Sequence, residues 1–325
     1  MDSISLPVES QPSMFHAGGP AAERIAQLGW LFTIVAVAVT VIVAAVLIAA
    51  LYRPRPAQPR GSSLVEETAG PVRWIVTGGV ILPAVILAAC FVCTLLTQSA
   101  IARPPRRAVA TIRVIAHRWW WEVQYPGGEG ARDIVTANEI HIPAGEAVEI
   151  ELVSDNVIHS FWVPELAGKT DVIPGQTNAM WLQADHPGRY AGECAEYCGV
   201  QHAHMGFVVV ADAPADFAAW AARERLPAGA PVAQTASAGL AVFRRSSCAA
   251  CHAIRGTGMT APAGPDLTHV ASRSTLASAM LPNNRGNLAG WVTNAQSLKP
   301  GSEMPTIRLD GRDLQALVAY LEALK

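Results

Sequence analysis

The chain has 325 residues, enough for two modest folded domains with further segments beside them. Only 15% of the residues are charged and the formal net charge is −2, which excludes the basic surface that nucleic acid requires, so no nucleic-acid partner is expected. A positive mean hydropathy, +0.26, points to a membrane instead.

Residues 1–24 lack the basic start and apolar core of a signal peptide, so they read as an N-terminal tail and the helix that follows is expected to do the targeting. Ile25–Tyr52 and Trp74–Ala102 contain no charged side chain, and each exceeds the about 20 apolar residues that span a bilayer. The segment 25–107 is therefore predicted to be a transmembrane hairpin in lipid, with helices over 25–52 and 74–102. A pair of buried core helices is the weaker alternative, because such helices seldom run so long without a polar face. Arg53, Arg55 and Arg60 outweigh Arg24 and favour a cytoplasmic loop between the helices, whereas Arg103, Arg106 and Arg107 pull the other way. Cys90 and Cys93 lie one turn apart in the second helix and read as small packing residues rather than a metal site.

Beyond Arg107 come short alternating runs such as "ATIRVIAHRWWWEVQY", "AVEIELVSD" and "GFVVVAD", separated by Gly, Pro and Asn turns. This texture predicts an all-β sandwich or barrel over 108–212. Within it, "CAEYCGVQHAHM", residues 194–205, packs two thiols, a thioether and two imidazoles into twelve positions, a soft donor set suited to copper. A disulfide between Cys194 and Cys198 is the rival reading. His204 reads as a surface or interface side chain, and His117, His141 and His186 as structural. The aromatics of "HRWWWEVQY" fit simple packing on a sheet face. The Pro/Ala-rich stretch 213–236 reads as a linker with one short helix around Phe217–Arg225.

The last segment, 237–325, opens with "CAACH", Cys248 to His252, and closes with Leu314, Leu317, Val318, Leu321 and Leu324 at helical spacing after a capping Asp310. C-x-x-C-H is the attachment pattern of a covalent c-type haem with the histidine on iron. A redox dithiol or half a zinc site is the alternative, but the soluble part holds no second C-x-x-C to complete zinc. Met304, between Pro300 and Pro305 in a loop, is the expected sixth ligand, and His/Met ligation raises the reduction potential. His269 competes for that role, whereas Met259 and Met280 read as core or loop residues.

Cys248–His252, "GPDLTHVASR", "LAGWVTNAQSLKPGSEMP" and the last helix resemble a class I cytochrome c domain, an all-α fold. That resemblance implies that Pro265 offers its carbonyl to His252. Residues Gly29 to Val210 resemble subunit II of haem–copper cytochrome c oxidase, on the strength of C-x-E-x-C-x₃-H-x₂-M and "HSFWVPELAGKTDVIPG" starting at His159. It implies a multi-domain membrane protein: two helices, a cupredoxin-like sandwich with the binuclear copper centre CuA, and the cytochrome domain, as in caa-type oxidases. The implied strong copper ligands are His159, Cys194, Cys198 and His202, with Met205 and the Glu196 carbonyl as weak ones. Against this set the disulfide reading leaves the histidines and Met205 unexplained, and relatives that oxidise quinol lack these ligands.

The resemblance further implies that electrons enter copper at Trp119, a role set slightly above packing; for Trp120 and Trp121 the two roles are evenly balanced. The Glu196 side chain would reach a magnesium ion at the boundary with subunit I. In one departure from the commoner pattern, Pro71 stands where many relatives carry a glutamate linked to proton uptake, with Glu66 and Glu67 out of register. Implied partners are oxidase subunits I and III and a soluble or membrane cytochrome c or similar donor. The expected location is the bacterial inner membrane, with the N-terminus and both soluble domains in the periplasm. The chain is then the electron-input subunit of an oxygen-reducing, proton-translocating terminal oxidase, without the oxygen site itself. The alternatives are the input subunit of a CuA-containing nitric oxide reductase and a free-standing membrane-anchored carrier.

Overall fold

The computed structural model describes residues 13–54, 69–128 and 132–325. The chain divides into two units, Arg24–Arg103 and the remainder.

The first unit is built of apolar helices. Helix α1 spans Pro20–Tyr52, starting where proline's missing N–H costs nothing. Its 33 residues rise about 50 Å, more than a hydrocarbon core needs. The second span joins α2 (Ala69–Val76), a five-residue π turn at Thr77–Ile81 and α3 (Leu82–Ile101). It starts five residues before the predicted Trp74, with Pro71 tolerated in the first turn. The wide turn holds Gly78 and Gly79. Hydroxyls in these spans fold back on their own helices: Thr33 onto the Gly29 carbonyl at 2.9 Å, Thr40 onto Ala36 at 2.8 Å and Thr94 onto Cys90 at 2.9 Å. No hydroxyl among these three is left facing hydrocarbon unpaired. Cys90 and Cys93 are free thiols. Glu66 and Glu67 lie outside the described residues.

The second unit opens with a β domain of two five-stranded sheets. In chain order the strands are β1 (Thr111–His117), β2 (Trp120–Tyr125), β3 (Ile134–Ala137), β4 (Glu139–Pro143), β5 (Val148–Ser154), β6 (His159–Trp162), β7 (Thr170–Val172), β8 (Asn178–Leu182), β9 (Gly188–Cys194) and β10 (Gly206–Asp212). One sheet runs β3-β2-β1-β5-β8 and the other β4-β10-β9-β6-β7. Alternation drives the packing: Trp121, Val123 and Tyr125 of β2 point inward while their neighbours are half-buried. Trp121 sits edge-on to Phe161 and Phe207, centroids 5.7 and 5.2 Å away. Aromatics in such a core are worth about 3–5 kcal/mol each on truncation to alanine. Gly192 makes room for Phe207, since a Cβ there would fall 2.2 Å from its ring. Residues 17–23 are not a loose tail: Gly18 N–H donates to the Glu165 carbonyl at 2.7 Å, and Ala22 N–H to Leu166 at 3.2 Å.

The linker expectation needs correction. Helix α4 (Pro214–Glu224) begins earlier than expected, and its Trp220 stacks on His141 at 4.2 Å and meets Tyr125. Two residues past α4, the Leu226 carbonyl accepts from His269 Nε2 at 3.0 Å. The Pro/Ala composition suggested a loose tether; the buried indole makes it a packed strap. Helix α5 (Gln234–Arg245) then starts inside the stretch read as linker.

Helices α5, α6 (Arg285–Leu298) and α7 (Gly311–Glu322) form the last domain around Phe243, Leu317, Val318, Tyr320 and Leu321. Short hairpins join β11 (Ala253–Ile254) to β12 (Met259–Thr260) and β13 (Thr275–Leu276) to β14 (Leu281–Pro282). Gly239 lets α5 cross α7 closely, because a Cβ would meet the Ala316 carbonyl oxygen at 2.0 Å. Asp310 caps α7, accepting from Asp313 N–H at 2.8 Å.

The two soluble domains touch directly. The Glu139 carboxylate accepts from Arg189 at 3.0 Å within the β domain and, across the joint, from Ser274 N–H at 3.0 Å and Ser274 Oγ at 2.8 Å. Arg273 Nε donates to Thr136 Oγ1 at 3.2 Å, Gln201 Nε2 to the Pro300 carbonyl at 2.8 Å, and Ala279 packs with Ala191, Val208 and Val210.

Candidate metal centres

The first centre grows from the ends of β6 and β9 and the loop leading to β10. His159 opens β6 fully buried, and Cys194 closes β9. The sulfurs of Cys194 and Cys198 lie 3.8 Å apart. His159 Nδ1 is 3.8 Å from Cys194 Sγ, and His202 Nδ1 and Met205 Sδ are each 3.8 Å from Cys198 Sγ. The Glu196 carbonyl oxygen lies 3.2 Å from Cys194 Sγ. Ligand atoms of His159, Cys194 and Cys198 fall within 4.8 Å of one another.

This donor set fits soft metal. A gap of 3.8 Å is far beyond the about 2.05 Å of a disulfide. It is short enough for one metal, with bonds of about 2.3 Å, to touch both sulfurs. The thiols share their protons unequally. Their mutual hydrogen bond pulls Cys194 down to about 3 despite its burial, and the same contact pushes Cys198 up. Binding through both sulfurs must therefore displace the proton that Cys198 retains. Asn156 Oδ1, 3.1 Å from His159 Nε2, accepts that N–H and leaves Nδ1 free to ligate. Asn156 carried no sequence signal, since nothing in a turn residue three positions upstream marks it as a tautomer lock. Trp121 Nε1 donates to the Met205 carbonyl at 3.2 Å, bracing that residue. The Glu196 side chain is half exposed, its carboxylate 3.8 Å from Lys169 Nζ.

The second centre is a cavity of about 340 Å³ lined by Cys248, Cys251, His252, Pro265, Met304 and Trp119 among others. Ser247, in the left-handed region at φ 64°, starts a tight turn in which Cys251 and His252 N–H both donate to the Cys248 carbonyl. His252 Nδ1 lies 2.8 Å from the Pro265 carbonyl oxygen, which accepts a hydrogen bond from Nδ1–H and leaves Nε2 to ligate. Burial pushes the His252 imidazole down and keeps it neutral, the form that binds iron. Gly264 forms the cradle, because a Cβ there would sit 2.7 Å from the His252 ring. Two free thiols, a neutral imidazole and a mainly apolar cavity fit a covalent haem.

Among the described residues, Met304 is the only methionine lining that cavity. Met259 is buried in the core cluster and Met280 packs against it. His269, buried and bonded to Leu226, lines no part of the cavity. The Met304 loop is stitched by Gln296, whose Nε2 donates to the Met304 carbonyl at 2.7 Å and the Ser302 carbonyl at 2.6 Å, while its Oε1 accepts from Gly301 N–H at 3.0 Å.

Trp119 joins the two centres. It lines the cavity, and its Nε1 donates to the Cys198 carbonyl at 3.0 Å. Trp120 instead stacks on His117 at 4.2 Å. His117 pairs with Asp155 and His141 with Asp212, at 2.6 and 2.7 Å. His204 bonds Gln201 at the surface. Lys299, which no sequence pattern marked, is almost fully buried, its Nζ 2.7 Å from the Trp119 carbonyl, and burial pushes it down to about 7.

Comparison with known proteins agrees with this architecture. The family "Cytochrome C oxidase subunit II, periplasmic domain" matches residues 127–212, and "Cytochrome c" matches residues 236–325. A cytochrome c oxidase subunit 2 of Alkalihalophilus pseudofirmus is 37% identical, covering 94% of this chain and 89% of its own. One from a Bacillus species is 31% identical, covering 83% and 77%. The crystal structure of the periplasmic domain of subunit II of cytochrome oxidase from Bradyrhizobium japonicum is 27% identical with a TM-score of 0.34, covering 37% of this chain and 95% of that one. With a relative above 30% identity over nearly its whole length, the chain belongs to the cytochrome c oxidase subunit II family and carries a cytochrome c domain at its C-terminal end.

Proposed function

We propose that this chain is the electron-input subunit of a respiratory haem–copper oxidase, passing electrons from a covalent haem c to a CuA centre and on to subunit I, where oxygen becomes water. Haem c and a copper pair, when bound, would supply reversible one-electron chemistry. The chain's own residues hold, orient and insulate these groups. Cys194, Cys198, His159 and His202 are the strong copper ligands in this reading, with Met205 and the Glu196 carbonyl weak. Cys248 and Cys251 would tether the haem, while His252 and Met304 would ligate its iron. Asn156 and the Pro265 carbonyl fix the two histidine tautomers.

The observation that carries the reading is Trp119, a single buried side chain that borders the haem cavity and bonds a copper-ligand backbone. Its burial beneath the cytochrome domain supports a role for electrons arriving from the haem within the chain. The external donor, a cytochrome c or similar carrier, then meets the haem domain.

The remaining assignments follow from the family. Covalent haem is attached outside the cytoplasm, so both soluble domains face the periplasm from the inner membrane, alongside subunits I and III. The half-exposed Glu196 carboxylate is available to a magnesium ion that subunit I would complete. Rapid mixing of the purified complex with a reduced donor tests the order: haem c must be reduced before the copper band bleaches. Copper reduction that precedes haem reduction would overturn it.

A further inference from the structure

Lys299 is an unusual residue in an unusual place. The chain has only three lysines, Lys169, Lys299 and Lys325, and Lys299 is 3% exposed at the joint between the two soluble domains. It caps the C-terminal end of α6, yet its side chain crosses the joint. Its Nζ donates to the Trp119 carbonyl at 2.7 Å, Ser278 Oγ at 3.1 Å and the Ala277 carbonyl at 3.3 Å. Those three acceptors match the three donors of an ammonium group. Ser278 Oγ in turn donates to the same Trp119 carbonyl at 2.8 Å. All three acceptors are neutral, so hydrogen bonds offset part of the cost of burying the charge, and the nearby Cys198 sulfur, when a thiolate, favours it further.

The loop that meets this ammonium is itself held out of its ordinary conformation. Ala277, Ser278 and Ala279 all lie in the left-handed region, at φ 55°, 64° and 61°. Side chains with a Cβ pay for that region, and three in succession persist only where the surroundings over-determine them. Here Ala279 packs into Ala191, Val208 and Val210 of the copper-bearing domain. The Trp119 ring meanwhile lies close to two glycines: a Cβ at Gly199 would stand 2.9 Å from it and one at Gly301 3.9 Å.

We propose that Lys299 is a positioning residue for electron transfer. It clamps the haem-bearing domain onto the copper-bearing domain through the Trp119 carbonyl, so that the indole of the same residue stays on the Cys198 carbonyl. The proposal rests on the reading of the two centres as haem c and copper. It makes the domain joint a fixed one, not a tethered encounter. Lys299→Met keeps the length of the side chain and, since Ser278 still donates to the Trp119 carbonyl, orphans only the Ala277 carbonyl, so assembly with unchanged haem and copper spectra separates the clamp from a mere fold requirement.

Two measurements test it on the full-length, metal-loaded chain in its complex. In the first, an amine-reactive reagent is followed by mass spectrometry. Lys299 is expected to label at least about tenfold more slowly than exposed Lys325, the protection that about 1.4 kcal/mol of opening free energy gives. Labelling as fast as Lys325 overturns the clamp, and this readout requires no electron transfer. In the second, haem-to-copper electron transfer is timed in Lys299→Met. The rate is expected to fall below that of wild type, while haem and copper spectra stay unchanged. An unchanged rate overturns the proposal. If Lys299→Met does not assemble, Ser278→Ala replaces it, with a smaller fall in rate and faster Lys299 labelling expected; the absence of both changes overturns the clamp. Absence of copper or haem from the wild-type chain would sink the functional reading instead, leaving Lys299 protection as an independent result.

Discussion

Trp119 and Cys198, 79 positions apart, are joined by a hydrogen bond of 3.0 Å from the indole N–H to the backbone carbonyl. Trp119→Phe keeps an aromatic ring against the cavity but removes the donor and leaves a buried carbonyl unpaired, a loss of about 1–3 kcal/mol. Haem-to-copper transfer is expected to slow while both optical spectra persist. A rate equal to wild type would assign Trp119 to packing alone.

The copper ligands differ in what each variant should destroy. Cys198→Ser should abolish the binuclear spectrum, because one bridging thiolate is gone. Met205→Leu should keep both coppers and shift their potential. Asn156→Ala frees the His159 tautomer and should weaken copper affinity about tenfold to a hundredfold, the usual cost of losing a partner behind a ligand. A binuclear signal surviving in Cys198→Ser refutes the ligand assignment.

Met304→Ala should leave haem covalently attached but open the iron to added carbon monoxide. Gln296→Ala should do the same more weakly, since it unties the loop without removing the sulfur. Iron that stays six-coordinate and low-spin in Met304→Ala, with no added ligand, would move the axial role to another residue.

His117 gives a pH signature. Burial alone would lower its imidazole, but Glu122 and Asp155 more than offset that and hold it above its usual 6.5. A raised folded value means that the stabilisation is fully present below 6.5 and is lost as pH rises through the folded value. The Tm gap between wild type and His117→Gln should therefore be wider at about pH 5.5 than at about pH 9. A gap independent of pH would show that His117 acts by stacking on Trp120 alone.

The residues that were legible in the sequence are those whose chemistry is local. Cys194 to Met205 and Cys248 to His252 announce themselves because their donors are a few positions apart, and the two apolar spans do so by length. His159 and Pro265 needed resemblance to a family, being distant from the motifs they serve. Asn156, Gln296 and Lys299 were not legible at all. Lys299 meets Trp119 across 180 positions, and only the docked fold brings them together. The Pro/Ala stretch misled for the opposite reason: its composition reads as loose, and a single buried indole, Trp220, ties it down.

The central claim is that one membrane-anchored chain holds a thiolate-bridged copper pair and a covalent haem. Metal and haem analysis of the full-length chain purified from membranes tests it most directly. The account predicts two copper ions and one haem that resists acid–acetone extraction per chain. Zinc in place of copper, or haem that extracts freely, would contradict it.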